Sequence, residues 1–315
     1  MSVLDKPFVF VIGAPRSGTS WLHQMLAEHP AVAAMESEEL TVFSRYLAPW
    51  ALNFDLESRN MAEGKWRQGL PCLFSPAEFE AEMRRFLSEV YGRLQALNPH
   101  ATHLVDKHPN YSNHIPLIDR LLPQSRFLHI IRDGREVAVS MMSVRKRVGH
   151  SPGEVRGAAT EWHRCITNAR KDGAALGASR YMEVRYEDLR KDTAGMLPGI
   201  LHFCGLSADP SFVADVARSH DISVRQVSTG DASLNALRGE PGRIWQQKMG
   251  TAERYIFHRM AGELLQELGY ARDDWWALNT MDHLRMLPYG VMVKAKRTAD
   301  ALRNIWSGPA ETRLP

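Results

Sequence analysis

The chain has 315 residues, with 39 Lys plus Arg against 36 Asp plus Glu, a formal net charge of +3. That balance excludes a protein that coats nucleic acid through its whole surface, so any anion site must be local. Three widely spaced cysteines, Cys72, Cys165 and Cys204, exclude a disulfide framework and a CxxC-type zinc site. They point to a reduced, cytoplasmic protein. No apolar run reaches the roughly 18 residues that span a bilayer. The opening MSVLDKP lacks the pattern of a signal peptide.

The first element is Phe8 to Ile12, β-branched and aromatic, bounded by Pro7 and Gly13. It is too short for a helix and suits a strand buried on both faces. The turn-rich Gly13-Ala14-Pro15-Arg16-Ser17-Gly18-Thr19-Ser20 follows. Trp21, Leu22, Met25 and Leu26 then recur at helical spacing until His29-Pro30. Residues 45–100 are punctuated by Gly and Pro and predict a helical insertion over one end of a sheet, with a helix from Pro76 to Leu97. Further strands are expected at Thr102–Asp106, Arg126–Arg132 and Arg180–Tyr186, with a long helix over about 153–175. Residues 193–220 read as helical and 225–250 as an irregular loop. Thr251 is expected to N-cap a helix that ends at Leu268, with Gly269 just past its end. Short strands alternating with helices predict an α/β fold with a mainly parallel sheet flanked by helices. One domain is expected over 1–270, with 271–315 as a C-terminal extension.

A loop between a strand and a helix N-terminus aims several backbone N–H groups at one point, where the helix dipole adds positive potential. Gly18 permits close approach, Ser17, Thr19 and Ser20 add hydroxyls, and Arg16 adds a fixed cation and donor fork. Such a site suits phosphate or sulfate. The loop departs from the Walker A pattern GxxxxGK[ST]: Thr19 stands where Lys is required, and the cation precedes the glycine. An ordinary ATP or GTP site is therefore disfavoured.

Pro15-Arg-Ser-Gly-Thr-Ser-Trp-Leu22 resembles the 5′-phosphosulfate loop of sulfotransferases, enzymes that use 3′-phosphoadenosine 5′-phosphosulfate (PAPS). Arg at position 16 is similar to the tyrosylprotein-type and bacterial members rather than to the cytosolic aryl and steroid enzymes. Arg132-Asp-Gly-Arg-Glu-Val-Ala-Val-Ser140 resembles the family's second motif, which implies that Arg132 and Ser140 hold the 3′-phosphate. Arg185-Tyr-Glu-Asp-Leu189 is similar to the segment whose Tyr, here Tyr186, lies near the adenine. Leu237-Arg238-Gly239-Glu-Pro-Gly-Arg243-Ile-Trp245 resembles the late RKGxxGxW loop that closes over the nucleotide. It has Leu237 in place of the first Arg and one inserted residue before Trp245. The resemblance implies that Arg16, Ser17, Gly18, Thr19, Ser20, Trp21, Arg132, Ser140, Tyr186, Arg238, Gly239 and Arg243 contact the donor nucleotide. It spans about residues 7–270 and implies a P-loop-like fold.

The implied reaction moves a sulfuryl group from PAPS to a hydroxyl or amine by metal-independent in-line displacement, with a loose transition state. It needs cations at the leaving phosphate, a base on the acceptor and exclusion of water. Arg16 is the first choice for the cation. Lys107 is the second, since it follows an expected strand at the sheet's carboxyl end and resembles the Lys of the family's K-x-P segment. The base is left among three residues, ranked Glu39, Glu36, His108. Glu39 heads Glu39-Leu-Thr-Val-Phe43, similar to the carbohydrate-type Glu segment. The tyrosylprotein-type spacing falls near Glu36 or Ser37. His108 directly follows Lys107, so on a strand its side chain turns to the opposite face.

No metal is expected; His100 and His103 lack a third ligand. The expected acceptor is a hydroxyl or amine of a small molecule, lipid or carbohydrate. The tail, with Lys294, Lys296, Arg297, Arg303 and Trp306, suits a basic amphipathic helix that packs on its own domain, on a membrane surface or on a second copy of the chain. The alternatives to a sulfotransferase are a P-loop nucleotide kinase and a non-catalytic nucleotide-binding protein.

Overall fold

In the computed structural model the described residues are 2–148, 154–221, 244–277 and 279–286. The chain divides into two compact units, Met1–Trp245 and Gln246–Pro315. The first holds a five-stranded parallel sheet of β1 (Phe8–Gly13), β2 (Val32–Ala33), β3 (His103–Lys107), β4 (Arg126–Ile131) and β5 (Tyr181–Arg185), in the order β2-β3-β1-β4-β5. Strand β1 is central, with Phe10 opposite Asp106 on one side and Phe127 on the other. All six of its residues are buried, because helices cover both faces.

The period of two along β1 divides the core. Phe8, Phe10 and Ile12 join Phe43, Tyr91, Tyr111 and Phe127 on one face. Val9 and Val11 join Leu22, Met25, Leu26, Leu189 and Leu201 on the other. Helix α1 (Thr19–Ala27) therefore packs on the second face, while α4 (Ile115–Leu121), which leaves β3, packs on the first. Helices leaving adjacent strands toward opposite faces open a crevice at the strands' carboxyl ends.

The insertion between β2 and β3 comprises a π-helical turn (Val42–Leu47), α2 (Ala48–Ala62) and α3 (Pro76–Leu97). Helix α3 starts where expected, because Ser75 and Glu78 form a capping box and Pro76 occupies the first turn. The insertion is helical, and its apolar side (Val42, Phe43, Phe54, Met83, Leu87, Tyr91) covers the first face of the sheet. Its first turn reaches the carboxyl edge of β3, where Ser44 meets His108.

The remaining elements of this unit are α5 (Gly134–Val148), α6 (Val155–Ala174), α7 (Tyr186–Lys191), α8 (Thr193–Cys204) and α9 (Pro210–Ser219). Four expected strands are present, within a residue or two of their expected bounds. The edge strand β2 was not expected: two residues carry no readable alternation, and pairing with β3 alone defines it. Residues 193–220 are helical as expected, in two helices, because Gly205 adopts a left-handed φ of +81° and Asp209-Pro210 starts a new cap. Within the stretch expected to be irregular, Ile244–Lys248 is a short helix, α10.

In the second unit α11 spans Thr251–Glu267, with Gly250 rather than Thr251 as its N-cap. Thr251 Oγ1 instead donates to Asp282. Gly269 follows the helix with φ +73°, as expected. Buried Arg254 ties this unit together, donating to the carbonyls of Met249 and Trp276 and pairing with Asp282 at 3.2 Å. Arg238, Gly239, Arg243 and the basic tail residues 294–306 lie outside the described residues.

Candidate active site

The expected site residues that can be placed gather at the carboxyl ends of the strands. The loop after β1 carries a left-handed Arg16 (φ +72°) and Gly18 (φ +101°). Only strong surrounding constraint holds a non-glycine residue there. Gly18 N-caps α1 with no side chain bound to the first turn, which leaves backbone donors facing the crevice. Ser17 Oγ is buried and has no hydrogen-bond partner among the described residues. Buried hydroxyls are nearly always satisfied, so this orphan marks a place for an acceptor atom.

The second cluster lies across β1, on β4 and α5. Arg132 is buried at the end of β4. Its guanidinium donates to the Arg16 carbonyl at 3.2 Å and lies 3.8 Å from Glu136. Its own carbonyl accepts from the Trp162 indole at 3.0 Å. Arg16 Nε donates to Ser140 Oγ at 3.1 Å. Arg16, Arg132 and Ser140 thus converge from two segments more than a hundred residues apart. Asp133 is not a partner of Arg132: its carboxylate is gripped by the fork of Arg135, at 2.6 Å for the closest pair. Arg135 in turn stacks over the Trp245 ring at 4.3 Å, and the Trp245 N–H donates to Glu136. Burial raises the Glu136 carboxyl pKa.

Tyr186 ties the two clusters. Its ring receives Arg132 at 4.5 Å and the edge of Trp21 at 5.6 Å. Trp21 also donates to the His220 carbonyl.

The third cluster holds Lys107 and Glu39. The Lys107 side chain is 2% exposed, and its ammonium donates to Glu39 Oε1 at 2.6 Å and to Ser20 Oγ at 3.1 Å. His108 Nε2 lies 3.4 Å from the other Glu39 oxygen, while its Nδ1 meets Ser44 Oγ at 3.2 Å. The expected alternation of faces holds, with Lys107 toward α1 and His108 toward Tyr111. Glu39 lies beyond the strand's end and reaches both. Glu36 is solvent-exposed; the ion pair with Lys107 is made by Glu39. Burial lowers the His108 pKa, opposed by Glu39 and reinforced by Lys107 and Arg45.

Lys107 does not pair with the neighbouring Asp106 side chain. That carboxylate is buried on the other face, bound by Tyr91 Oη (2.9 Å), Tyr111 Oη (3.1 Å) and the Lys107 N–H (2.8 Å). Burial pushes it up to about 6 despite these donors.

No site role was read from the sequence for Trp162, Glu136, Tyr111 or Asp106. No spacing rule links Trp162 to Arg132. Among the described residues no group of three or more His, Cys, Asp or Glu is placed to hold a metal ion. No described helix is long and apolar enough to cross a membrane.

The sulfotransferase family model matches residues 7–210. Protein-tyrosine sulfotransferase 2 of Gallus gallus is 26% identical over 271 residues, covering 84% of this chain and 67% of that protein. Protein-tyrosine sulfotransferase 1 of Homo sapiens is 30% identical over 166 residues, 51% of this chain and 41% of that protein. The chain thus spans from about two-fifths to two-thirds of the length of these relatives. The crystal structure of mouse sulfotransferase SULT7A1 complexed with PAP superposes with a TM-score of 0.53 at 16% identity, over 84% of this chain and 86% of that one, which shows a shared fold. A match that extends from β1 to the start of α9, over more than half of the chain, with the anion loop, Lys107, Arg132 and Tyr186 within its bounds, establishes that this chain belongs to the sulfotransferase family.

Proposed function

We propose that this protein transfers a sulfuryl group from PAPS to a hydroxyl or amine of a small-molecule, lipid or carbohydrate acceptor. The observation that carries this reading is the Lys107–Glu39 ion pair at the N-terminal turn of α1, where Lys107 also touches Ser20. A cation and a carboxylate meet beside an anion loop, as a transfer between two oxygens requires.

The residues present fit the donor. Orphaned Ser17 Oγ and the uncapped start of α1 suit the 5′ anion. Arg132, Ser140 and Arg16 suit the 3′-phosphate, and Trp21 with Tyr186 offers aromatic surface for a base. When bound, PAPS supplies the activated sulfuryl group.

Glu39 is the base of this reading. It accepts the acceptor's proton as the new oxygen–sulfur bond forms and the sulfur–phosphate oxygen bond breaks. Lys107 is the cation for the charge that develops on the departing oxygen. Arg16, the first choice on sequence grounds, points toward Ser140 and so serves the 3′ end in this reading. His108 braces the second oxygen of Glu39. Cytoplasmic residence belongs to the same reading and rests on the three unpaired cysteines.

Calorimetry with adenosine 3′,5′-bisphosphate (PAP), beside ADP and ATP, tests the reading without knowledge of the acceptor. PAP is expected to bind tightly, ADP weakly, and Arg132→Ala to lose most of the PAP affinity. Preference for ATP, or no nucleotide binding by folded protein, would sink the reading in favour of a kinase or a scaffold.

A further inference from the structure

We propose that Asp106 is a positioning residue, which sets Lys107 through the backbone and His108 through Tyr111 so that both meet Glu39. The inference rests on the function proposed above, in which Glu39 and Lys107 react. Asp106 occupies the centre of an aromatic core. It lies opposite Phe10 on β1, on the face lined by Phe43, Tyr91 and Tyr111. A carboxyl is a poor residue for packing there, because desolvation opposes its charge and an apolar side chain would fill the space without that penalty.

Its contacts form two arms. In one, Oδ1 accepts the N–H of Lys107 at 2.8 Å, which fixes the last peptide of β3, from which the Lys107 side chain departs toward Ser20 and Glu39. In the other, Oδ2 accepts from Tyr111 Oη at 3.1 Å, and the Tyr111 ring stands edge-on to the His108 ring at 5.2 Å. His108 then faces Glu39 Oε2. Lys107 and His108 thus reach the two oxygens of one carboxylate from opposite faces of the strand, both set by the residue before them. Tyr91 donates to the same Oδ2 at 2.9 Å, but its ring packs on Phe8, away from His108.

Tyr91 therefore supplies the control. Tyr111→Phe and Tyr91→Phe each delete one hydroxyl bonded to Asp106, but only the first belongs to the arm that ends on His108. The imidazole of His108 is followed by NMR in protein labelled at histidine, its signal assigned by its loss in His108→Gln. The charged and titratable groups that influence it are Glu39, Lys107 and Arg45, with His114 nearby.

Tyr111→Phe and Asp106→Asn are expected to move the His108 titration midpoint by about half a pH unit or more, roughly threefold in its protonation constant. Tyr91→Phe is expected to lower the melting temperature as much as Tyr111→Phe while leaving that midpoint in place. Equal midpoint shifts in the two tyrosine variants, or none in either, overturn the proposal and leave Asp106 a structural residue. If Asp106→Asn does not fold, the tyrosine pair decides alone. PAP calorimetry on the same samples keeps the two readings apart. Failure of wild-type PAP binding removes the sulfotransferase reading. Intact PAP binding with an unmoved His108 removes only this one.

Discussion

Gly18 lies directly against the ring of Tyr186: a Cβ built on Gly18 would stand 2.6 Å from Tyr186 Cδ2. The anion loop and the start of α7 therefore touch at Gly18, which has no side chain. The same ring carries Arg132 on its face. Gly18→Ala combines this clash with a φ of +101° that L-residues rarely adopt. The substitution is expected to destabilise the protein by about 2 kcal/mol or more and to weaken PAP binding at least tenfold. Thermal melts and calorimetry read both, and wild-type affinity in Gly18→Ala would refute the close approach.

Glu39 and Lys107 are coupled across a boundary, with Lys107 almost fully buried and Glu39 34% exposed in its side chain. Solvent screens part of the attraction, so a double-mutant cycle of Glu39→Gln and Lys107→Met is expected to give a coupling of about 1–2 kcal/mol. Glu39→Gln alone should be the more destabilising single change, because it leaves a buried ammonium with a neutral partner. With an acceptor in hand, the same variant should keep its affinity for PAP and lose about 10²–10⁴-fold in turnover.

Trp162 touches the proposed donor site only through the backbone of Arg132. Its indole N–H binds the Arg132 carbonyl at 3.0 Å inside the protein. Trp162→Phe leaves that carbonyl unsatisfied, at about 1–3 kcal/mol. It is expected to weaken PAP binding more than ADP binding, since Arg132 serves the 3′-phosphate in this reading. Equal losses for both nucleotides would show that Trp162 supports only the fold.

Acid should destabilise the protein through its buried histidines. Burial lowers His23 to about 4, with help from Lys107, and His129 to about 3. Between pH 6.5 and about 4 the unfolded chain binds protons at these positions that the folded chain refuses. Stability therefore falls as pH falls through that window. Asp106 works in the opposite sense: its carboxyl, raised to about 6, holds a proton in the folded state that the unfolded chain has lost. Burial lowers His103, His108, His114 and His258 as well, and these six histidines outnumber the raised carboxyls of Asp106, Glu136 and Asp172, so the melting temperature is expected to drop between pH 6.5 and 4.5. His23→Gln should reduce the slope of stability against pH by nearly one proton, as chemical denaturation at several pH values would measure. An unchanged slope would refute the assignment.

The sequence by itself determined four of the five strands, the principal helices and the two motifs that carry the family resemblance. Phe8–Ile12 read as a buried strand and Pro76 as the start of a helix, as the structure has them within a residue, because these signals are local. Pro15–Leu22 and Arg132–Ser140 were legible for the same reason: each is a strand end, a turn and a helix start in one short stretch. The choice among Glu39, Glu36 and His108 was not legible. Glu36 and Glu39 stand in one acidic run, and only the fold carries Lys107, from the end of β3, to 2.6 Å from one of them. The role of Asp106 was equally hidden, since Tyr91 and Tyr111 reach it from separate elements. A chain's local preferences decide where its elements start and stop. Which side chains share a proton depends on contacts between residues far apart in sequence, and those exist only after the sheet has assembled.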